Sequence, residues 1–352
     1  MTAVPPRLEH LSGEYEEITY LADPRSGLRA ILVLHDTSLG PALGGVRCTA
    51  YPDERAALED VLALARAMTL KVLLAEMAAG GGKCVVLDHP NLDRRAAFAR
   101  LGEQIESMGG RFFTAGDLGT GERDLKALSR STRFVATPDH GVHENLALRA
   151  AEGVFHAAGI ALDVLGQGEW NGVRVAIQKL GATGLAVAMQ ALRAGATVIA
   201  SDANAERAGR ASDTFPLTLV APDRILDVDC DVFAPCAHGL LLDEATAARL
   251  RCRIVCGTAN RQLANLETGD LLAQRGIVYC PDLLVNSGAV IMGSGPALPD
   301  QPRPKDLSGI GRRLRAVLVE SMTTGEPPHR IVLAKAEQRL AEARARRLGA
   351  SA

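Results

Sequence analysis

Two lysines in one glycine-rich stretch offer the clearest chemistry in this sequence. From Gly40 to Lys83 the chain reads GPALGGVRCTAYPDERAALEDVLALARAMTLKVLLAEMAAGGGK. Leu58, Val61, Leu62, Ala65 and Met68 recur at three- and four-residue intervals, which predicts one apolar face of a long helix. Lys71 stands three residues further along that face and therefore points inward. Lys83 follows Gly80 to Gly82, where missing side chains let backbone and ligand approach closely. Two inward ammonium groups over a glycine floor make a site for a small anion. Taken singly, Lys71 could be a helix-end cation on the negative pole of the macrodipole, and Lys83 a solvated side chain after a loop. His140 and His143 have the spacing of two ligands on one helical turn, but Gly141 argues against a helix and no third ligand accompanies them, so no metal is expected.

The whole chain sets the bounds. At 352 residues it is long enough for two domains, each with its own core. A formal net charge of −2, with acids and bases interspersed, leaves no electrostatic footprint for nucleic acid or an anionic membrane. No apolar run reaches spanning length, and the first twenty residues carry acids in place of a charged-then-apolar leader, so a cytoplasmic protein is expected. Seven cysteines, odd in number and without paired CxxC spacing, read as reduced core residues.

The elements that must position the lysines follow from periodicity. Glu17 to Ala22 and Leu28 to His35 are strand-like, Cys84 to Leu87 is a short apolar strand, and Asp93 to Met108 has helical spacing. Phe112 and Phe113 lead into Thr114 to Asp117, so strands and helices alternate and the first domain is α/β. After a helix-like stretch from Glu144 to Gly159 comes a βαβ unit: strand Val173 to Gln178, glycine turn Gly181 to Gly184, helix Leu185 to Ala194, strand Thr197 to Ala200, and the acid Asp202. In that arrangement a dinucleotide phosphate meets the helix N-terminus and the acid holds the ribose hydroxyls. Further strands at Asp231 to Ala234, Arg253 to Cys256 and Ile277 to Tyr279 complete a doubly wound sheet. The expected division is 1–145, 146–325 and a closing helix at 326–352.

The GGxR-like turn at Gly44, the MT-x-K helix end at Lys71 and the GG-x-K loop at Lys83 occur in the order that marks the Glu/Leu/Phe/Val dehydrogenase family. Together with TAGDLGT, APCAHG, GTANRQL and NSGAVI, they make nearly the whole chain resemble that family, in its leucine/phenylalanine/valine branch. The resemblance implies a two-domain α/β protein: an N-terminal substrate-binding and oligomerisation domain, a Rossmann-like dinucleotide domain, and an active site in the cleft. The last helix would return to the first domain. The implied reaction is reversible oxidative deamination of a small apolar L-amino acid to its 2-oxo acid and ammonia, with NAD, in a homo-oligomer. By the same resemblance Lys71 binds the α-carboxylate, and Asn286 helps to fix the carboxylate or amine. Lys83 is the base, its ammonium pKa lowered by a neighbouring cation and a desolvated site, and Asp117 shuttles the amino-group proton and stabilises the cationic imine. Alone, Asp117 and Asn286 could each be a helix cap. Gly44, Met68, Ala115 and Ala289, with Gly293, would line a roomy substrate pocket.

The cofactor loop departs from its pattern. Where the fingerprint asks for G-x-G-x-x-G, the chain has Lys179, Leu180, Gly181, Ala182, Thr183 and Gly184, so a lysine stands at the tight turn. Ala150 stands where the family's interdomain helix carries a threonine that helps to hold the nicotinamide amide. Asp202, Ala237 and Asn260 match ribose- and adenine-side contacts, with Asp202 expected to select NAD over NADP. Two alternatives stay open at this level: non-redox imine chemistry on the same lysines, and a catalytically silent amino-acid-binding subunit. Substrate charge follows from Leu43, which stands where glutamate-specific relatives have a lysine for the side-chain carboxylate; a carboxylate buried against leucine would cost several kcal/mol. Steady-state assays should therefore favour leucine, valine, phenylalanine or tryptophan over glutamate, and efficient turnover confined to glutamate would contradict the pocket.

Overall fold

The computed structural model describes residues 14–237, 242–301 and 306–350. Strands β1 (Glu17–Asp23) and β2 (Leu28–Asp36) form an antiparallel hairpin. Asp23 closes its turn by accepting from the Ser26 backbone N–H and hydroxyl, and Gly27 takes a φ of 71° that suits glycine. Next come β3 (Ala42–Thr49), α1 (Glu54–Leu74), β4 (Gly80–Leu87), α2 (Arg94–Ser107), β5 (Phe112–Gly116) and α3 (Glu122–Ser129). Asp53 and Asp93 cap α1 and α2, each accepting from the backbone N–H three residues on.

These strands make one five-stranded sheet in the order β1-β2-β4-β3-β5, with β3 parallel to both β4 and β5. Side chains alternate across it. Ile31, Val33, Val85 and Leu87 pack on Ala57, Val61, Leu62 and Ala65 of α1. Leu32, Leu34, Cys84, Val86 and Phe112 pack on Ala97, Phe98, Leu101 and Ile105 of α2. Every residue of β4 is buried, as a strand covered on both faces must be.

Two glycine clusters behave differently from the sequence reading. Gly44 and Gly45, read as a turn, lie in the middle of β3, and Gly80 to Gly82, read as a loop, are the first residues of β4. The reason is close approach. A β-carbon on Gly81 would stand 2.0 Å from the Thr69 backbone nitrogen, and one on Gly44 would stand 1.9 Å from the Gly82 carbonyl oxygen. Gly81 marks where α1 lies directly on the sheet, and Gly44 where the backbone of β4 leaves no room for a side chain.

The second sheet is built from β6 (Arg174–Gln178), β7 (Thr197–Ser201), β8 (Leu217–Leu219), β9 (Val232–Pro235), β10 (Ile254–Val255) and β11 (Val278–Tyr279). Its order is β11-β10-β9-β6-β7-β8 and every pairing is parallel, the 3-2-1-4-5-6 order of a doubly wound dinucleotide fold. The short, shallow β8 was not anticipated. Helices α4 (Leu146–Val164), α5 (Ala182–Arg193), α6 (Ala205–Thr214), α7 (Glu244–Arg249), α8 (Leu266–Gln274), α9 (Asp282–Val285), α10 (Gly288–Gly293), α11 (Ser308–Thr324) and α12 (Pro328–Ala350) accompany and follow it. The chain divides into two compact units, one of Met1–Glu144, Gly293–Arg303 and Ala336–Ala352, the other of Asn145–Met292 and Pro304–Lys335. Among the described residues no helix is long and apolar enough to cross a membrane.

The contact at Gly81 can be tested against a helical glycine with open surroundings. Gly81→Ala should lower the free energy of unfolding by about 1–3 kcal/mol or more, because backbone must shift. Gly209→Ala, in α6 with nothing within 4 Å of the added carbon, should be neutral or raise it by about 1 kcal/mol. Equal effects in denaturant melts would refute the close-approach account.

Candidate functional site

In the first unit the alternation that builds the core also collects the polar residues. Leu43, Gly45 and Arg47 of β3, Lys83 of β4 and Ala115 of β5 share the sheet face covered by α1, in register with one another. Leu43 is buried beside Gly81 and Phe113. Gly44 packs on the β4 backbone, and a β-carbon on Gly45 would meet that of Asp117 at 3.0 Å. From α1 come half-buried Met68, buried Thr69 and buried Lys71, the last in the final turn of the helix. The structure thus brings Leu43, Gly44, Met68, Lys71, Lys83, Ala115 and Asp117 into one unit.

The ionic centre is Asp117, just beyond β5. Its Oδ2 receives Lys83 Nζ at 3.2 Å and the Nε–H of Arg47 at 2.9 Å. Arg47 donates through Nη1 to Asp60 of α1 at 2.8 Å, and the Tyr51 hydroxyl donates to the same carboxylate oxygen at 2.7 Å. The Lys83 side chain is 5 % exposed and that of Asp117 18 %. Burial alone would raise the Asp117 carboxyl; the ammonium of Lys83 and the guanidinium of Arg47 outweigh it and hold the group well below the usual carboxylate range. Lys83 is in direct contact with an anion, and the neighbouring cation, Arg47, reaches it only through that anion. Arg47 was visible in the GGxR motif, but its role as partner of Asp117 depends on a pairing seventy residues away.

The second unit holds the remaining candidates. Lys179 donates its backbone N–H to the Ser201 carbonyl and has a φ of 71°, the left-handed region where a β-carbon is strained. Its carbonyl oxygen lies 2.0 Å from where a β-carbon on Gly184 would stand, so α5 starts directly against the turn. Gly181 caps α5 without a side-chain bond, leaving the first-turn N–H groups of Ala182, Thr183 and Gly184 to a phosphate. The Thr183 and Thr258 hydroxyls are 2.9 Å apart, tying the turn to the GTANRQL segment. Leu180 is buried, Asn260 is exposed, and Ala237 and Ala289 are half-buried.

Asn286 is more specific than expected. Its Nδ2 donates to the carbonyls of Thr258 and Ala259 and to Oδ1 of Asn260, at 3.3, 3.1 and 2.9 Å. These acceptors fix the amide orientation. Its Oδ1 is buried with no hydrogen-bond partner among the described residues, so it offers an acceptor to an incoming N–H and nothing to a carboxylate. Thr258 and Arg207, the latter bound to Asp202, were missed; Arg207 sits in the first turn of α6, five residues after the acid it binds.

A parallel sheet in 3-2-1-4-5-6 order, with a glycine-capped helix after its first strand, is the layout of a dinucleotide-binding fold, and a separate α/β sheet carries the buried Lys83–Asp117 pair. Residues 17–134 match the Glu/Leu/Phe/Val dehydrogenase dimerisation domain, and residues 203–295 match the Glutamate/Leucine/Phenylalanine/Valine dehydrogenase family. The leucine dehydrogenase of Thermoactinomyces intermedius is 40 % identical over 282 residues, covering 79 % of this chain and 77 % of the relative. The phenylalanine dehydrogenase of Lysinibacillus sphaericus is 38 % identical over 286 residues, covering 79 % and 75 %. The crystal structure of L-tryptophan dehydrogenase from Nostoc punctiforme superposes with a TM-score of 0.76 at 29 % identity, over 94 % of this chain and 97 % of that one. The chain belongs to the Glu/Leu/Phe/Val dehydrogenase family.

The strained turn gives a stability test. Lys179→Gly keeps the backbone and removes the left-handed penalty, so it should raise the free energy of unfolding by about 1 kcal/mol. A fall in melting temperature would show that the lysine side chain supports the loop.

Proposed function

We propose that the protein catalyses the reversible oxidative deamination of an apolar L-amino acid to its 2-oxo acid and ammonia, with NAD. The observation that carries this reading is the Lys83–Asp117–Arg47 cluster on the sheet face that also holds buried Leu43. The relatives named for leucine, phenylalanine and tryptophan support an apolar substrate. Small residues at Ala115, Ala289 and Gly293 suit a branched or aromatic side chain.

NAD, when bound, would supply the acceptor for the α-hydrogen as hydride. The first-turn N–H groups of α5, the end of β7 around Asp202, Ala237 and Asn260 would hold it. Lys71 anchors the α-carboxylate, and Asn286 Oδ1 accepts from the amino group. Asp117, kept ionised by its two cations, faces the positive charge of the imine and lowers its cost. That supports the stabilising part of its role over proton storage. Once it has given up its own proton, neutral Lys83 Nζ takes a proton from the water that attacks the imine carbon and returns it as ammonia leaves, while Arg47 stays as the cation beside Asp117. Seven free cysteines suit a cytoplasmic protein. The match to a dimerisation domain and the exposed Tyr20 on edge strand β1 support a homo-oligomer.

Lys83→Ala should cut kcat by about a hundredfold or more with substrate binding largely retained, whereas Lys71→Ala should act mainly on KM. Near-normal turnover by Lys83→Ala would remove the base from this scheme. Glutamate activity alone would leave the base in place and remove the apolar substrate.

A further inference from the structure

At the end of β7 the carboxylate of Asp202 is saturated. Oδ2 accepts from the Leu180 backbone N–H at 2.8 Å and from Arg207 Nε at 2.7 Å. Oδ1 accepts from the Asn204 backbone N–H at 2.8 Å and from Arg207 Nη2 at 2.7 Å. A carboxylate has about four acceptor positions, and all are in use. The Asp202 side chain is 1 % exposed, whereas Arg207 is 37 % exposed. What the surface presents here is therefore a guanidinium.

In a doubly wound fold this position meets the adenosine ribose. A bare acid there accepts from the 2′-hydroxyl and repels a 2′-phosphate, whereas an arginine accommodates that phosphate. Here the acid's charge is neutralised by a bidentate pair, and its lone pairs already receive four donors. The remaining guanidinium N–H groups are donors only, and a phosphate is a better acceptor for them than a hydroxyl.

We propose that Arg207 sets the nucleotide specificity of this chain. Paired with Asp202, it makes the ribose site accept a 2′-phosphate, so that NADPH binds within about tenfold of NADH. This rests on the dinucleotide-binding reading above, and it replaces the expectation that Asp202 excludes NADP.

Calorimetric titration of the full-length protein with NADH and NADPH, at two salt concentrations, tests it. Wild type should bind both, with NADPH the more salt-sensitive, because its extra charge meets an exposed cation. Arg207→Ala should weaken NADPH at least thirtyfold while changing NADH only a few-fold. Should that variant fail to fold, titration of wild type with 2′,5′-ADP against 5′-AMP gives the same comparison, with the 2′-phosphate expected to tighten binding. NADH binding with NADPH more than a hundredfold weaker in wild type, or a NADPH/NADH ratio unchanged by Arg207→Ala, would overturn the proposal and leave the dinucleotide site standing. Binding of neither nucleotide would overturn both.

Discussion

One carboxylate oxygen shared by two cations holds the first unit's site together. Taking Asp117, Lys83 and Arg47 out of water costs several kcal/mol per ion, and only close mutual contact with further hydrogen bonds offsets it. The contacts come from four elements. Lys83 is on β4, Arg47 on β3, Asp117 follows β5, and Arg47 continues to Asp60 on α1. Removing one partner would leave an uncompensated charge on a buried face. The chemistry and the packing of this sheet therefore rest on the same ions. In the proposed reaction, a group held ionised so firmly would serve as a fixed negative charge beside a developing cation, a use that needs no proton movement of its own.

How much of this was legible in the sequence depended on whether a residue's role is local. The long helix, the β1–β2 hairpin and the βαβ unit were readable because their side chains repeat with a period of 3.6 or 2. Lys71 and Lys83 were readable because one continues a helical face and the other follows glycines. β3 and the start of β4 were not readable as strands, because glycine contributes nothing to alternation and its commonest local meaning is a turn. Only the packing of Thr69 of α1 onto the strand shows why Gly81 has no side chain. The role of Arg47 was hidden for the same reason, since its partner Asp117 is seventy residues away, whereas Arg207 lies only five residues from Asp202 and was within reach of a local reading.

The departure at Lys179 is a departure of residue and not of backbone. With its N–H on the Ser201 carbonyl, its carbonyl oxygen against Gly184, and the next N–H on Asp202, the turn is fixed from both sides by neighbours. Position 179 therefore takes a left-handed conformation whichever residue stands there, and the surroundings bear the strain. The layout that presents the N-terminus of α5 survives the loss of the first glycine.

Asn286 shows what such a site holds in reserve. Three acceptors fix its amide, so the side chain cannot turn to satisfy Oδ1 without giving up bonds it already makes. A buried acceptor left without a partner costs about 1–3 kcal/mol, and a mobile side chain would relax to avoid it. This one is prevented from relaxing by the segment from Thr258 to Asn260, itself tied to the turn at Thr183. The free energy withheld from the fold is thus available to any ligand that brings an N–H to that oxygen. It favours an amine or amide over a carboxylate by the chemistry of a single atom.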